Sequence, residues 1–403
     1  MKFILPKNIC SIISTINEHG CLAHVVGGCV RDMLIGKVPD DWDITTNALP
    51  QQIKAMFQRT YDTGIKHGTV TVHYGESVVE VTTWRSETQY TDHRRPDSVY
   101  FAKSLAEDLS RRDFTINALA YHPVEGLIDP FNGLNDIHLR MIRCVGDPVK
   151  RFSEDALRML RAIRFSALPG FQLEEKTLAA IRKQWRDLAY VSMERIQAEV
   201  NKILESECPE KLALLWETGL DKIIFPGIGA LSGKWTSFAE KHMLLADKKI
   251  FYLSLLFYTG FPNHAEDCGK VLLKRLRYDN LTIREVTAQL RSFGRFGTFS
   301  PRNIRKMVSE FGEATAKNTL LVMSELSGSR NHAENIKLAA TKPALSGNHL
   351  RNEGLCSGKD IGVMLSLLAL CVYEKPELND TAILTKLAKN ISALPFWKNQ
   401  GES

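Results

Sequence analysis

The character of the sequence changes near Cys144. Before this point, short runs of β-branched residues alternate with turn residues, which is typical of strands joined by tight turns. After it, alternating runs become rare and the apolar residues follow a helical period. We predict helices over residues 155–166, 174–186, 192–205, 209–218, 280–293, 302–310, 314–325 and 360–374. The pattern therefore indicates an α/β head followed by an all-α remainder.

One β-hairpin is predicted within the head. Residues 68–74 and 77–84 are rich in β-branched side chains, and Gly75 and Glu76 separate them. Glu80 lies at the centre of the second strand, between two valines. An acid in that position costs free energy unless it is paired, bound to metal or hydrated. Two interpretations stay open: Glu80 joins other acids at a site, or it faces solvent on the polar side of the hairpin.

Two aspartates one residue apart, Asp41 and Asp43, follow the glycine pair Gly27 and Gly28. Side chains at i and i+2 of a strand share a face, so both carboxylates can reach one metal ion. Mg²⁺ prefers hard oxygen donors, and nucleotidyl transfer with two metals uses such acids. The glycines let backbone amides approach a triphosphate, and Arg31 adds charge to hold it. An isolated Asp-x-Asp commonly just ends a strand, so the prediction depends on the whole ordered motif.

A charged stripe runs along the first of the predicted helices, whose pattern extends from Glu154 to Phe165 with Ser153 as a suitable N-cap. Asp155, Arg158, Arg161 and Arg164 recur every three residues, with apolar residues on the opposite side. Aspartate accepts hydrogen bonds and arginine only donates them. The pair Asp155 and Arg158 therefore suits the amino donor and ring acceptor of cytosine or adenine, whereas guanine and uracil would be mispaired. The alternative is an ordinary solvated helix face.

Composition restricts the partners of the chain. The 403 residues carry a net charge of only +6, but ten lysines and arginines lie between Lys270 and Lys306. Aromatic residues are interleaved with them, namely Tyr278, Phe293, Phe296 and Phe299. This combination suits binding of a phosphate backbone, and amphipathic helices with solvated charges are the alternative.

Eight scattered cysteines without a Cys-x-x-Cys pair favour a reducing cytoplasm over a zinc site or a disulfide framework. The longest apolar run is about half a membrane span, so no membrane partner is expected.

Five sequence blocks occur in order. They are VGGCVRD (26–32) with DWD (41–43), VEVTTWR (79–85) with YTDHRRP (90–96), EDLSRRDFTINA (107–118), IDPFNG (128–133) and RFSEDALRMLRAIRF (151–165). Together they resemble the class II tRNA nucleotidyltransferases and the related bacterial poly(A) polymerases. The resemblance implies a palm-like nucleotidyltransferase head with a mixed sheet, followed by an all-α neck, body and tail. The implied bounds are 1–143 for the head, 144–208 for the nucleobase-recognising neck, 209–280 for the body and 281–403 for the tRNA-binding tail.

The resemblance also implies roles for individual residues. Asp41 and Asp43 are expected to bind Mg²⁺, and Glu80 to complete the catalytic acidic cluster. Nucleotide binding is expected from Gly28, Arg31, Arg112, Asp155, Arg158, Arg161 and Arg164. Within this set, Asp155 and Arg158 correspond to the protein template that selects the base.

The implied activity is template-independent addition of CCA to the 3′ end of tRNA, using CTP and ATP and releasing pyrophosphate. The polar segment 83–103 matches the loop that such enzymes use to change from C to A addition, and it has its full length here. The expected contacts on tRNA are its 3′ end and its acceptor and elbow region. Family members of this size are often homodimers, and we expect the same.

Several alternatives stay open at this point. The chain could add only A to tRNA, or it could be a poly(A) polymerase, and the sequence separates these only weakly. A non-catalytic RNA-binding protein would not need all three carboxylates together with Asp155 and Arg158. A nucleotidyltransferase acting on a small molecule would not need the basic helical half.

Overall fold

The computed structural model describes residues 2–87, 99–229, 235, 248–261, 263–295, 300–327 and 343–394. The chain divides into two compact units, Met1–Leu245 and Ala246–Ser403. Among the described residues, no helix is both long enough and apolar enough to cross a bilayer. All eight cysteines are free thiols.

The first unit is built on a seven-stranded mixed sheet, which confirms the predicted head. The strands of this unit are β1 (Ala23–Val26), β2 (Asp43–Thr46), β3 (Thr60–Gly64), β4 (Thr69–Tyr74), β5 (Ser77–Thr83), β6 (Arg85–Glu87), β7 (Val99–Phe101), β8 (Ala120–His122), β9 (Gly126–Ile128), β10 (Met141–Ile142) and β11 (Gln172–Leu173). The sheet order is β3-β4-β5-β2-β1-β8-β9. Only β2 and β5 run parallel within it, and the other neighbours are antiparallel.

The predicted hairpin is confirmed as β4 and β5, joined by Gly75 and Glu76. Gly75 has a φ of +60°, which glycine adopts without the penalty that a side chain would bring. Alternate residues of β5 are buried, including Val79 and Val81, whereas Glu80 is exposed. The face that carries Glu80 is therefore open, and the opposite face packs inward.

Helices surround the sheet and continue beyond it. In the first unit they are α1 (Lys7–Glu18), α2 (Gly28–Leu34), α3 (Pro50–Met56), α4 (Leu105–Ser110), α5 (Gly133–His138), α6 (Pro148–Glu154), α7 (Leu157–Ser166), α8 (Glu175–Gln184), α9 (Met193–Leu204), α10 (Leu214–Thr218) and α11 (Asp221–Ile224). The buried residues of α1 are Ile9, Ile12, Ile13 and Ile16, whose spacing gives one apolar face. The predicted helical remainder is confirmed by the helices that follow the sheet, with the two-residue strand β11 as an exception to the all-α prediction.

The helix predicted over residues 155–166 is corrected by the structure. Ser153 does not cap it, because Ser153 lies inside α6 and donates its hydroxyl to Lys150 O at 2.8 Å. Asp155 is extended, with φ −144° and ψ 105°, and its side chain accepts from the amide of Leu157 at 3.1 Å. Aspartate competes in this way with helical hydrogen bonding, so the helix breaks and restarts as α7.

Among the described residues of the second unit, all regular secondary structure is helical. Its helices are α12 (Lys248–Gly260), α13 (Ala265–Arg275), α14 (Asn280–Arg295), α15 (Pro301–Phe311), α16 (Glu313–Ser327), α17 (Gly347–Asn352), α18 (Asp360–Glu374) and α19 (Thr381–Ser392). The prediction that aromatic residues of the basic stretch take part in binding is wrong for the two that the structure describes. Tyr278 is 6% exposed and Phe293 only 2%, because both fill core positions, while Phe296 and Phe299 lie outside the described residues.

Candidate active site

Two clefts in the first unit meet at Asp41 and Asp43, because both aspartates line both clefts. We call one the arginine cleft, with a volume of about 350 Å³. Its charged lining includes Arg31, Arg112, Arg161 and Arg164. We call the other the sheet cleft, with a volume of about 740 Å³. It lies over strands β3, β4 and β5 and includes Tyr61, Thr71, His73 and Glu80. The aspartate pair thus lies between a cleft lined by four arginines, together with Asp32, Asp40 and Asp113, and a cleft that no lysine or arginine lines.

The three predicted carboxylates are neighbours, although not all on strands. Asp41 lies in a bend, and β2 begins only at Asp43, so the expectation of two aspartates on one strand is wrong in that detail. Asp43 pairs in register with Glu80 of β5, so these two side chains project from the same face. Burial raises the pKa of Asp43, Arg112 opposes this, and repulsion by Glu80 and Asp41 raises it further. A bound cation would relieve this repulsion.

The carboxylates fit a magnesium site that substrate completes. In the described ranges, no group of three or more histidine, cysteine or acidic side chains is arranged to hold a metal by itself. Mg²⁺ commonly uses one or two protein carboxylates together with substrate phosphates and water. Asp41 and Asp43 supply that number of hard oxygen donors next to the arginine cleft.

The glycine pair lies at the mouth of the arginine cleft. Gly27 precedes α2 with φ +80° and ψ −127°, a conformation that glycine alone adopts easily. A Cβ on Gly27 would lie 2.8 Å from Nη1 of Arg112, whereas one on Gly28 would meet only Arg31, at 3.7 Å. The fold therefore requires glycine at 27, and Gly28 is the residue whose backbone is left open to a ligand.

Two arginines of this cleft are held by acidic and amide side chains. Arg31 donates to Asp32 at 2.8 Å and to the side-chain oxygen of Asn117 at 2.7 Å. Arg112 forms a longer ion pair with the buried Asp108, at 3.5 Å. Since Arg31 is oriented in advance, less side-chain entropy is lost when it binds an anion.

The ring of Phe165 packs against three arginines of the cleft. The guanidinium of Arg164 lies 4.1 Å from its ring centroid, that of Arg31 5.0 Å and that of Arg161 5.4 Å. Arg164 also pairs with the buried Glu199 at 2.9 Å. Burial lowers the pKa of Arg164 to about 10, with Glu199 opposing the change. Phe165 was not predicted from the sequence, and its signal was an aromatic residue directly after the last arginine of the stripe.

A buried carboxylate, Asp113, anchors Arg161. Nε of Arg161 donates to Asp113 at 2.8 Å, and Asn117 donates to the other oxygen of Asp113 at 3.0 Å. Burial opposes ionisation of Asp113, but Arg161 and Asn117 outweigh it and hold its pKa below the ordinary value. Sequence reasoning missed both Asp113 and Asn117. Their signal was two polar residues on either side of Phe114, Thr115 and Ile116, since buried polar groups need partners.

The structure does not bring Asp155 and Arg158 to either cleft. Asp155 pairs with Arg195 of α9, at 2.8 Å. Arg158 donates to Glu154 at 2.5 Å and to Arg111 O at 3.0 Å. Both residues are therefore engaged with protein partners in this conformation, while Arg161 and Arg164 line the arginine cleft.

The predicted loop over residues 83–103 is described only at its ends. There β6 and β7 pair antiparallel, with Arg85 opposite Phe101. Residues 88–98, which include the YTDHRRP block, lie outside the described residues.

Comparisons with known proteins agree with this geometry. The family model described as "Poly A polymerase head domain" matches residues 23–143, and "Probable RNA and SrmB- binding site of polymerase A" matches 170–231. The CCA-adding enzyme of Geobacillus sp. (strain WCH70) is 43% identical over 281 residues, covering 70% of this chain and 68% of the relative. That of Lactobacillus delbrueckii subsp. bulgaricus is 36% identical over 359 residues, covering 88% and 90%. The crystal structure of the Bacillus stearothermophilus CCA-adding enzyme in complex with CTP has a TM-score of 0.75 at 30% identity, covering 96% of this chain and 99% of that one.

Proposed function

The chain belongs to the class II CCA-adding enzymes, and from this premise we propose that it extends tRNA by C, C and A from CTP and ATP with release of pyrophosphate. The observation that carries the proposal is the meeting of the two clefts at Asp41 and Asp43. An incoming triphosphate on one side and an RNA end on the other would meet at these carboxylates. The crystallised relative with bound CTP supports the choice of nucleotide.

We assign the triphosphate to the arginine cleft. Arg31 and Arg112 would contact its anionic oxygens, and the backbone at Gly28 would let the chain approach closely. Arg161 and Arg164 would hold the rest of the nucleotide. Two Mg²⁺ ions at Asp41 and Asp43 would lower the pKa of the tRNA 3′-hydroxyl and neutralise charge on the phosphates. Glu80, directly beside Asp43, would reinforce this acidic cluster.

Base selection is assigned to Asp155 and Arg158, and it requires both to exchange partners. A cytosine or adenine edge would replace Arg195 at Asp155 and Glu154 at Arg158. The exchange replaces charge-assisted hydrogen bonds with bonds to the base. Only a base that forms hydrogen bonds with both residues can therefore compensate for the free energy that is lost. Guanine and uracil offer acceptor against acceptor and donor against donor, which leaves polar groups unsatisfied.

The template assignment is tested by Arg158→Ala, with Arg151→Ala as its matched control. Arg151 pairs with the same Glu154, at 3.0 Å, so both variants disturb that carboxylate. We expect Arg158→Ala to incorporate UMP or GMP, and Arg151→Ala to keep its choice of C and A. Unchanged base choice in Arg158→Ala would refute the template role.

The remaining expectations concern tRNA and assembly. We propose that the neck (144–208) recognises the base and that the tail (281–403) binds tRNA. Exposed basic residues of the second unit, Lys270 and Lys274 in the predicted body and Arg284 in the predicted tail, support a surface for the phosphate backbone. The homodimer and the cytoplasmic location stay predictions.

An extension assay tests the activity itself. Transcripts of tRNA ending at the discriminator base, at C and at CC are incubated with Mg²⁺ and labelled CTP, ATP or both. We expect three additions to the first transcript and a stop at CCA. Addition of a single A to the CC transcript alone would indicate an A-adding enzyme, and unlimited A addition a poly(A) polymerase. No addition to any transcript would leave an RNA-binding protein.

A further inference from the structure

A row of four residues crosses the open face of the sheet from Asp43 to the aromatic residue Tyr61. Strand pairing brings Tyr61 of β3, Thr71 of β4, Glu80 of β5 and Asp43 of β2 into register. Register partners share one face of a sheet. Three strand spacings separate the ends of the row, which is about 14 Å. The open face of the head therefore leads from the acidic cluster directly to Tyr61.

Tyr61 forms the wall of the sheet cleft together with His73. The two rings lie 4.7 Å apart at 57°, and Tyr61 remains 55% exposed. In the same cleft, the hydroxyl of the exposed Thr63 lies 2.7 Å from that of the buried Thr71, and Thr63 can also bond to ribose or base edges. A large exposed ring next to hydroxyl groups is the composition of a surface that stacks nucleobases.

The reaction geometry decides what occupies this cleft. In phosphoryl transfer the attacking oxygen and the leaving group lie roughly in line, on opposite sides of the phosphorus. The phosphate chain belongs in the arginine cleft, since no lysine or arginine lines the sheet cleft. The attacking 3′-hydroxyl must then approach Asp41 and Asp43 from the sheet cleft.

We propose that the sheet cleft receives the unpaired 3′-terminal nucleotides of tRNA, whose bases stack on Tyr61 beside His73. This inference rests on the proposed function. The end of the RNA changes with each addition, from the discriminator base to C and then to CC. A stacking platform suits this succession, because every base has a π-face and stacking tolerates sequence.

The test compares Tyr61→Ala and Tyr61→Phe with the matched control Tyr74→Ala. Tyr74 belongs to β4 but packs against Phe57 on the opposite face, and it lines neither cleft. CMP addition is measured with either tRNA or CTP varied. Tyr61→Ala is expected to raise the KM for tRNA about tenfold, which is within the range for loss of one stacked base. The KM for CTP is expected to stay within about twofold, and Tyr61→Phe and Tyr74→Ala to behave like the wild type.

A second readout does not depend on turnover. A tRNA transcript that ends with 2-aminopurine as its discriminator base is bound without metal or nucleotide. Stacking is expected to quench its fluorescence in the wild type and in Tyr61→Phe, and Tyr61→Ala is expected to restore it. Equal quenching by wild type and Tyr61→Ala, or a KM for tRNA that rises no more in Tyr61→Ala than in Tyr74→Ala, would overturn the platform. A wild-type chain that adds no nucleotide would instead refute the proposed function. The quenching experiment would still test the stacking on Tyr61, because it does not depend on nucleotide addition.

Discussion

Alanine at each of two neighbouring glycines is expected to separate folding from catalysis. Gly27 has φ +80° and ψ −127°, and an added Cβ would lie 2.8 Å from Nη1 of Arg112. Gly28 is the first residue of α2, where an added Cβ would make only an ordinary contact with Arg31, at 3.7 Å. The same chemical change therefore meets strain at one position and free space at the next.

The magnitudes follow from these two environments. Backbone strain of the kind expected in Gly27→Ala costs about 1–3 kcal/mol, before any displacement of Arg112. A unit of this size loses about 2–4 °C in Tm for each kcal/mol, so the loss is roughly 2–12 °C. Alanine in a helix is favoured over glycine by about 0.5–1 kcal/mol, so Gly28→Ala is expected to melt at or slightly above the wild-type temperature. Both variants are expected to lose activity, since one displaces Arg112 and the other adds a methyl group to the arginine cleft.

Thermal unfolding and the KM for CTP are measured on both variants and on the wild type. Tryptophan fluorescence reports mainly the first unit, because five of the six tryptophans of the sequence belong to it, including Trp42 and Trp84. The reasoning would be refuted if Gly27→Ala melted at the wild-type temperature. It would also be refuted if Gly28→Ala were as unstable as Gly27→Ala.

Two further substitutions test the charges of the site. Burial and Glu80 raise the pKa of Asp43 despite Arg112, so its ionisation removes stability as pH rises through that pKa. Asp43→Asn is therefore expected to raise the Tm at pH 7 in metal-free buffer but not at pH 3, and a lower Tm at pH 7 would contradict this. Asp113→Ala removes the nearer of the two buried acids that pair with Arg161, leaving Glu199 at 3.8 Å, and is expected to cost about 3 kcal/mol in urea unfolding. A loss below about 1 kcal/mol would show that the pair is dispensable.

The local sequence pattern was sufficient to predict those strands and helices whose formation depends mainly on neighbouring residues. The β4–β5 hairpin follows from two β-branched runs around Gly75, and most of the predicted helices from apolar periodicity. The break at Asp155 was not predicted, because periodicity does not register a side chain that accepts from the amide two residues later. Within the active site, the resemblance to a known family implied that Asp41, Asp43 and Glu80 form one cluster, and strand register brings Asp43 and Glu80 side by side.

Contacts between distant segments could not be read from the sequence. The bond from Arg161 to Asp113 joins residues 48 positions apart, and Arg164 pairs with Glu199 of another helix. A charged stripe has the same sequence whether it faces water or buried acids, so the partners appear only in the fold. The burial of Tyr278 and Phe293 could not be predicted for the same reason. An aromatic residue in a basic stretch can face either the core or the solvent.

The most direct test of the central claim is single-turnover addition of one CMP by Asp43→Asn, with tRNA binding measured on the same protein. The claim is that the carboxylates between the two clefts carry the chemistry and contribute little to holding RNA. We expect the rate of addition to fall by about a thousandfold or more, because several kcal/mol of metal-dependent stabilisation are lost. The Kd for tRNA is expected to stay within about twofold of the wild-type value. Addition at the wild-type rate by Asp43→Asn would contradict the account.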